Sequence, residues 1–271
     1  MLGFIFKSLK DKSEDSSFWE HLDVLRKYII RSVAIVFIFS TIAFFFKKFM
    51  FDDVILAPAN PHFPTYRLLC YFGQRFSIDG LCISSIPLHL SNIELGGQFR
   101  YHIIISFVAG IIFAFPIIAW QLWLFIKPAL NSKEKKNVRG MVFYISTLFF
   151  LGILFGYYVI TPLTVNFLAS YELSPMIENR ITISSYISNI TTLTFLMGLV
   201  FELPVLVYFL AKIGIITPSF LSKNRKWVIV IVFIIAGFIT PSTDMFTQTI
   251  VALPLYALFE LSLFITKKTA E

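Results

Sequence analysis

Charged residues are scarce in this sequence. Only 14% of its 271 residues are Asp, Glu, Lys or Arg, whereas 57% are hydrophobic, 32 are Phe and the mean hydropathy is +0.78. A typical soluble domain has about 25% charged residues. The composition therefore excludes an ordinary soluble globular protein and predicts an integral membrane protein.

Catalytic and nucleotide-binding signatures are also absent. The sequence contains no G-x-x-x-x-G-K phosphate loop and no H-E-x-x-H zinc motif, and its four histidines are scattered. No Ser, Thr or Cys lies in a recognisable nucleophile motif. We expect no enzymatic activity, no metal and no cofactor, so any transport must draw its energy from partners or from the membrane potential.

Long apolar runs account for the composition. A membrane-spanning helix needs about 20 mostly apolar residues, and the sequence has six such runs, at residues 28–46, 103–126, 141–167, 187–211, 227–240 and 245–265. They lack the alternation of barrel strands, and a lipid-exposed backbone must satisfy its own hydrogen bonds. The predicted fold class is all-α, a polytopic membrane protein with six transmembrane helices, the last two short, in a single domain over residues 1–271.

The basic residues predict the orientation. With the N-terminus in the cytoplasm, 17 of the 23 Lys and Arg residues fall on the cytoplasmic side and 6 on the outer side. The positive-inside rule then places both termini in the cytoplasm. The net charge of +7 is explained by this topology, so nucleic-acid binding is not needed to account for it.

Three segments outside the spans have predicted roles. Residues 18–31 have helical apolar spacing and predict a surface helix that leads into the first span. Residues 47–100 form a long outer segment, which we call the cap, and residues 128–139 form a cytoplasmic turn. Both cysteines, Cys70 and Cys82, fall in the cap, where a disulfide could persist. Two buried thiols would have the same sequence, and both alternatives stay open.

The cytoplasmic turn contains one acid among basic residues. Glu134 is surrounded by Lys133, Lys135, Lys136 and Arg139. Two interpretations are open: a solvated partner of these neighbours, or a docking point for a cationic ligand.

The fourth span contains an acid near the middle of the membrane. Glu202 lies ten residues before Lys212, or about 15 Å from the cytoplasmic end of the span. An ionisable group at this depth is costly and is a candidate functional residue. Pro204 should break the helix locally. The alternative is a protonated side chain that is hydrogen-bonded between helices for packing alone.

Several segments together resemble the TatC family, the receptor subunits of the twin-arginine protein translocase. These are HLDVLRKYIIRS (21–32), FPIIAWQLWLFIKPALNSKE (115–134), FLGILFGYYVITP (150–162), FELPV (201–205) and TPSTDMFTQTIVALPLYALFE (240–260). The resemblance implies a glove-shaped six-helix bundle in the bacterial cytoplasmic (inner) membrane that binds twin-arginine signal peptides. It also implies self-association, contact with membrane lipids, and recruitment of single-span TatA- and TatB-type subunits. Folded proteins would then cross at the expense of the proton-motive force.

The resemblance implies a signal-peptide site near the cytoplasmic surface. The family's acid in the turn after the second span matches Glu134, and the surface helix contributes His21, Asp23 and Arg26. The family usually has Glu where this sequence has Val24. Since Arg pairs bidentately with carboxylates, we expect Glu134 to make the main contact and Asp23 to contribute weakly.

The resemblance also implies a second set of residues that serve the membrane interior and partner subunits. The intramembrane acid of the family matches Glu202, its outer acid Asp244, its partner-contacting Gln Gln248, and the proline of its first outer loop Pro58. The family's Thr-Pro-Pro-Asp is one residue longer in this sequence, Thr-Pro-Ser-Thr-Asp, which loosens the match at Asp244.

Two other functions are compatible with parts of the sequence. A small secondary transporter or proton channel could use Glu202, but the sequence lacks inverted-repeat segments and a second intramembrane charge in the same layer. A lipid-handling scaffold would rest only on the aromatic content.

Overall fold

The fold is given by a computed structural model of the chain. It describes residues 2–77, 82, 90–126, 138–171, 174, 180–212, 214–240 and 245–270, with side chains from residue 22 onward except those of residues 126, 138–139, 212, 246 and 268–270.

Helices make up almost all of the described residues. The α-helices are α1 (Leu2–Phe45), α2 (Pro64–Phe76), α3 (Gly97–Ile126), α4 (Val138–Phe155), α5 (Thr161–Ser170), α6 (Ile183–Val200), α7 (Leu203–Lys212), α8 (Pro218–Lys223), α9 (Arg225–Ile239) and α10 (Met245–Ala270). Shorter elements are π-helices at Phe49–Ile55 and Gly156–Ile160, a 3₁₀ helix at Ala57–Ala59, and the two-residue strands β1 (Leu90–Ser91) and β2 (Ile181–Thr182). The strands pair in parallel, with Leu90 opposite Ile181. The predicted all-α class is confirmed, with this small pair as its only strands among the described residues.

The helices long enough to cross a membrane match the predicted spans. Five such segments are described, at Leu22–Phe45, Gly97–Phe125, Gly140–Ser170, Ile183–Ala211 and Thr247–Lys267. The third joins α4, a π-helix and α5, and the fourth joins α6 and α7. The sixth apolar helix is α9, whose 15 residues extend only about 22 Å. It corresponds to the predicted short span.

Two helices are longer than the sequence predicts. The helix α1 starts at Leu2, so the predicted surface helix and first span form one continuous helix. The helix α10 continues to Ala270, where the Thr266 hydroxyl donates to the carbonyl of Ser262 at 3.0 Å. Lys267, near its end, also suits the negative end of the helix dipole. Of the two spans predicted to be short, α9 is short and α10 is not.

The cap has structure of its own. It contains the first π-helix, the 3₁₀ helix, α2 and β1, and a disulfide joins Cys70 in α2 to Cys82. The structure therefore decides between the two alternatives for the cysteines in favour of a bridge. Burial of Met50 and Ile55 against Tyr101, Val165 and Tyr186 fastens the cap to the ends of α3, α5 and α6.

A second buried cluster joins α6 to the last two spans. Its members come from α6, α9 and α10, together with Ile160 of the second π-helix, and include Leu193, Met197, Val232, Ala236, Val251 and Leu255. The helix α1 packs mainly against α3.

Glycines allow the helices to approach closely. A Cβ added at Gly152 in α4 would lie 2.6 Å from the carbonyl oxygen of Met197 and 2.8 Å from the Cα of Gly198 in α6. At Gly110 in α3, an added Cβ would lie 2.8 Å from the Cα of Ser40 in α1. The sequence predicts close contact from the small-residue spacing of Gly152 and Gly156, and the contact with α6 confirms it.

We expect Gly152→Ala to destabilise the protein. The added methyl group meets backbone atoms that cannot rotate away, and overpacking costs about 1–3 kcal/mol, more than the gain of about 1 kcal/mol in helix propensity. Gly140→Ala is the matched control, because a Cβ there meets nothing within 4 Å. The free energy of unfolding in a detergent titration should fall for Gly152→Ala and stay level or rise for Gly140→Ala. Equal stability of the two variants would contradict the close packing.

Candidate functional site

Pro58 is held by a tyrosine that reaches across the cap. It lies buried in the 3₁₀ helix, and the Tyr66 hydroxyl shares its proton between the carbonyl oxygens of Pro58, at 2.9 Å, and Pro162, at 3.0 Å. Tyr66 is 1% exposed. Burial raises the pKa of its phenol above the ordinary value, so the hydroxyl keeps its proton and remains a donor. Tyr66 therefore joins Pro58 to α5.

Pro58 also leaves a carbonyl without its helical donor. A proline has no N–H. In the 3₁₀ helix that holds Pro58, each N–H bonds the carbonyl three residues earlier, so the carbonyl of Ile55 loses its usual partner. The Tyr186 hydroxyl donates to this oxygen at 2.9 Å, and the Tyr157 hydroxyl donates to the preceding carbonyl, that of Val54, at 2.7 Å. Hydroxyls from two other helices thus replace the backbone donors that the cap lacks.

At Pro162 the roles are reversed: the third span has the free carbonyl and the cap supplies the hydroxyl. The missing N–H of this proline frees the carbonyl of Tyr158, and the Thr65 hydroxyl of the cap donates to that oxygen. Phe63 stacks on the Tyr158 ring, with centroids 5.4 Å apart. The cap and the third span therefore each donate a hydroxyl to a free carbonyl of the other. These two bonds fix the position of Pro58.

Glu202 lies at the predicted helix break. It occupies the turn between α6 and α7, where its N–H bonds the carbonyl of Leu199 at 3.1 Å. This bond spans three residues, so the turn is tighter than that of an α-helix, in which the bond spans four. The side chain is half-buried, and its Oε1 atom is buried with no hydrogen-bond partner among the described residues. Buried polar atoms normally have a partner. The backbone of Phe149 in α4 faces the carboxyl group, but no described group completes a hydrogen bond to its Oε1 atom.

Gln248 ties the short helix α9 to α10. Its Nε2 atom donates to the carbonyl of Phe233 at 2.8 Å, and α9 has Gly237 where an added Cβ would lie 3.2 Å from that nitrogen. Near the other end of the pair, Arg225 forms an ion pair with Glu260 at 2.8 Å. Gln248 is therefore part of a fixed helix pair, whereas Asp244 lies outside the described residues.

Three of the residues expected to bind a signal peptide are on α1. Asp23 and Arg26 are exposed, and so is Val24, which stands where the family has an acid. The side chain of His21 and all of Glu134 lie outside the described residues.

The packing of α1 on α3 places Asp23 level with the end of α3. These helices run antiparallel and touch at Ser40 and Gly110, and His102 near the start of α3 hydrogen-bonds the carbonyl of Phe44 at 3.0 Å. Asp23 precedes Ser40 by 17 residues, and α3 ends 16 residues after Gly110, at Ile126. Each interval is about 25 Å long, so Asp23 lies level with the point where the turn begins.

Sequence reasoning missed the hydroxyl donors. Tyr66, Tyr157, Tyr186 and Thr65 are common residue types without a motif. The available signal was indirect, because a proline in a membrane-embedded segment frees a carbonyl that must find another donor.

The chain is similar to a known family along nearly its whole length. The family model described as Sec-independent protein translocase protein (TatC) matches residues 20–254. A protein of that name from Blattabacterium sp. subsp. Periplaneta americana is 36% identical over 260 residues, which are 95% of this chain and 97% of the relative. The protein of the same name from Aquifex aeolicus is 34% identical over 249 residues, covering 92% of this chain and 93% of that protein.

Solved structures show the same likeness. A crystal structure described as the twin arginine translocase receptor TatC aligns with a TM-score of 0.70 at 32% identity, covering 93% of this chain and 100% of that chain. A second, described as the same receptor in DDM, aligns with a TM-score of 0.73 at 33% identity, covering 91% and 99%.

Proposed function

This chain belongs to the TatC family of Sec-independent protein translocase proteins, and on that premise we propose that it binds twin-arginine signal peptides and recruits single-span TatA- and TatB-type subunits. Membership makes it a multi-pass membrane component of the twin-arginine translocase, which works as a complex. We further propose that it lies in the bacterial cytoplasmic membrane and that the proton-motive force drives folded proteins across.

The proposed orientation has both termini in the cytoplasm and the cap outside. The distribution of Lys and Arg favours it. The disulfide between Cys70 and Cys82 adds independent support, because disulfides persist outside the reducing cytoplasm.

The proposed signal-peptide site combines the turn after α3 with the start of α1. The register of α1 on α3 supports it most directly, since Asp23 and Arg26 are exposed at the level where the turn carrying Glu134 begins. A guanidinium fork pairs well with a carboxylate, and the pair is less screened at the membrane boundary than in water. With Val24 in place of an acid, Glu134 makes the main contact and Asp23 the weaker one, while His21 completes the polar face.

The proposed partner site combines Glu202 with the α9–α10 pair. Glu202 offers a buried oxygen that no described residue bonds, and Gln248 lies on the α9–α10 pair, which packs against α7. Asp244 precedes α10 directly in the sequence. A partner helix that carries a hydrogen-bond donor would meet Glu202 inside the membrane, where such bonds stabilise helix association. Pro58 contributes to partner binding from the cap.

We expect Glu134→Ala to reduce the crosslink of a twin-arginine signal peptide to this protein about tenfold or more, because hydrogen bonds to charged groups contribute about 1.5–3 kcal/mol. Asp23→Ala should reduce it only slightly. The measurement is site-specific photocrosslinking of the peptide to the full chain in membranes.

Glu94→Ala is the control for this experiment. It removes the same charge from the cap, where Glu94 pairs with Arg100 at 3.6 Å, and should leave the crosslink unchanged. An undiminished crosslink with Glu134→Ala would refute the proposed site.

A second prediction separates partner recruitment from signal binding. Glu202→Ala should lower the amount of TatA- and TatB-type subunits that co-purify with the protein several-fold, because it removes the one acid that the described residues place in the turn between α6 and α7. Crosslinking of the signal peptide should remain. Glu202→Gln keeps the size of the side chain and tests whether the carboxyl group itself is required. Full partner association and full translocation with Glu202→Ala would count against this role.

A further inference from the structure

The helix α2 presents an apolar stripe that no described residue covers. Leu68, Phe72 and Phe76 follow one another at intervals of one helical turn and are 58%, 49% and 66% exposed. The rings of Phe72 and Phe76 stack on each other with centroids 6.4 Å apart. Packing within the protein uses a different face of α2, where Tyr66 and Gly73 are buried. Among the described residues nothing packs on the stripe, so it is accessible to an external apolar phase.

The start of α2 is attached to the outer part of the third span. Thr65 and Tyr66 bond to the backbone of Tyr158 and Pro162 in the third span. Pro162 follows Gly140, the first residue of that span, by 22 residues, or about 33 Å. The hydrocarbon core of a bilayer is about 30 Å thick. These contacts attach α2 where the acyl chains give way to the headgroups.

Two cations flank the apolar stripe. Arg67 and Arg75 are exposed on α2 and form no ion pair with a described residue. Tyr71, at 64% exposure, lies between them along the helix. Arginine pairs with phosphate through two parallel bonds, and Tyr is enriched at the interface between lipid and water. The edge of the stripe therefore complements the phosphates of lipid headgroups.

We propose that α2 is an interfacial anchor that binds the outer leaflet of the membrane. Leu68, Phe72 and Phe76 enter the boundary of the acyl chains, as the apolar face of an interfacial helix does. Arg67 and Arg75 bind lipid phosphates, with a preference for anionic phospholipids. Because α2 carries Tyr66, this anchor also sets the level of the cap relative to the bilayer.

The test replaces single residues of α2 with photoreactive benzoylphenylalanine in the full chain. The protein is reconstituted in vesicles of phosphatidylcholine and phosphatidylglycerol, irradiated, and weighed as intact protein. A reactive group in place of Phe72 or Phe76 should give adducts with the mass of one phospholipid. The same group in place of Gln74, which lies on the opposite edge of the exposed face, should give several-fold fewer.

The charge requirement is tested in the same vesicles. With both arginines present, phosphatidylglycerol should be enriched among the adducts at position 72 above its share of the vesicle lipid. Arg67→Gln combined with Arg75→Gln should reduce the fraction of phosphatidylglycerol among these adducts to its fraction in the vesicle lipid. Enrichment that survives the double substitution would overturn the role of the arginines.

Other occupants of the stripe give different masses. Adducts at positions 72 and 76 to a second copy of this chain, or no adducts, would overturn the proposal. Reconstitution with TatA- and TatB-type subunits extends the test, since lipid adducts that are replaced by adducts to those subunits would also overturn it. No signal peptide is present, so the result is independent of the proposed receptor function.

Discussion

Backbone hydrogen bonding is the constraint on which the arrangement of the cap and third span depends. In and near a membrane, water is not available to bond a carbonyl that a proline has freed. Pro58 interrupts the backbone bonding of the cap beside the carbonyls of Val54 and Ile55, and Pro162 frees the carbonyl of Tyr158. The Val54 and Tyr158 oxygens each accept from a hydroxyl of the other segment, through Tyr157 and Thr65, and the Ile55 oxygen accepts from Tyr186 of α6. The irregular backbone of the cap is therefore stable only against this particular span. The cap fixes the position of the third span, and the third span fixes that of the cap.

The two proposed sites lie on different parts of this scaffold. The register of α1 and α3, set by the close approach of Ser40 and Gly110, brings Asp23 level with the end of α3, which Glu134 follows in the sequence. The close packing of α4 on α6 at Gly152 instead supports the turn that carries Glu202, since an added Cβ would lie 2.8 Å from Phe201.

The sequence predicts the helices better than the contacts between them. Apolar length and charge distribution are properties of each segment alone, so the spans, including the short α9, could be read directly. The disulfide of Cys70 and the continuity of α1 depend on how separate segments meet, and composition leaves both open. At the candidate site, mid-membrane depth and a neighbouring proline single out Glu202, whereas Tyr157 resembles any other aromatic residue of a membrane helix. The assignment of Glu134 to the signal-peptide site rests on its sequence context and on family resemblance.

The exchange of hydroxyls for missing backbone donors can be tested with a double-mutant cycle. Tyr186→Phe should lower the free energy of unfolding by about 1–2 kcal/mol, because the Ile55 carbonyl then lacks a donor. Pro58→Ala returns an N–H three residues after Ile55, so the cost of Tyr186→Phe should shrink in that background. Tyr71→Phe, at an exposed site, should have no effect. An equal cost of Tyr186→Phe with Pro58 and with Pro58→Ala would contradict the account.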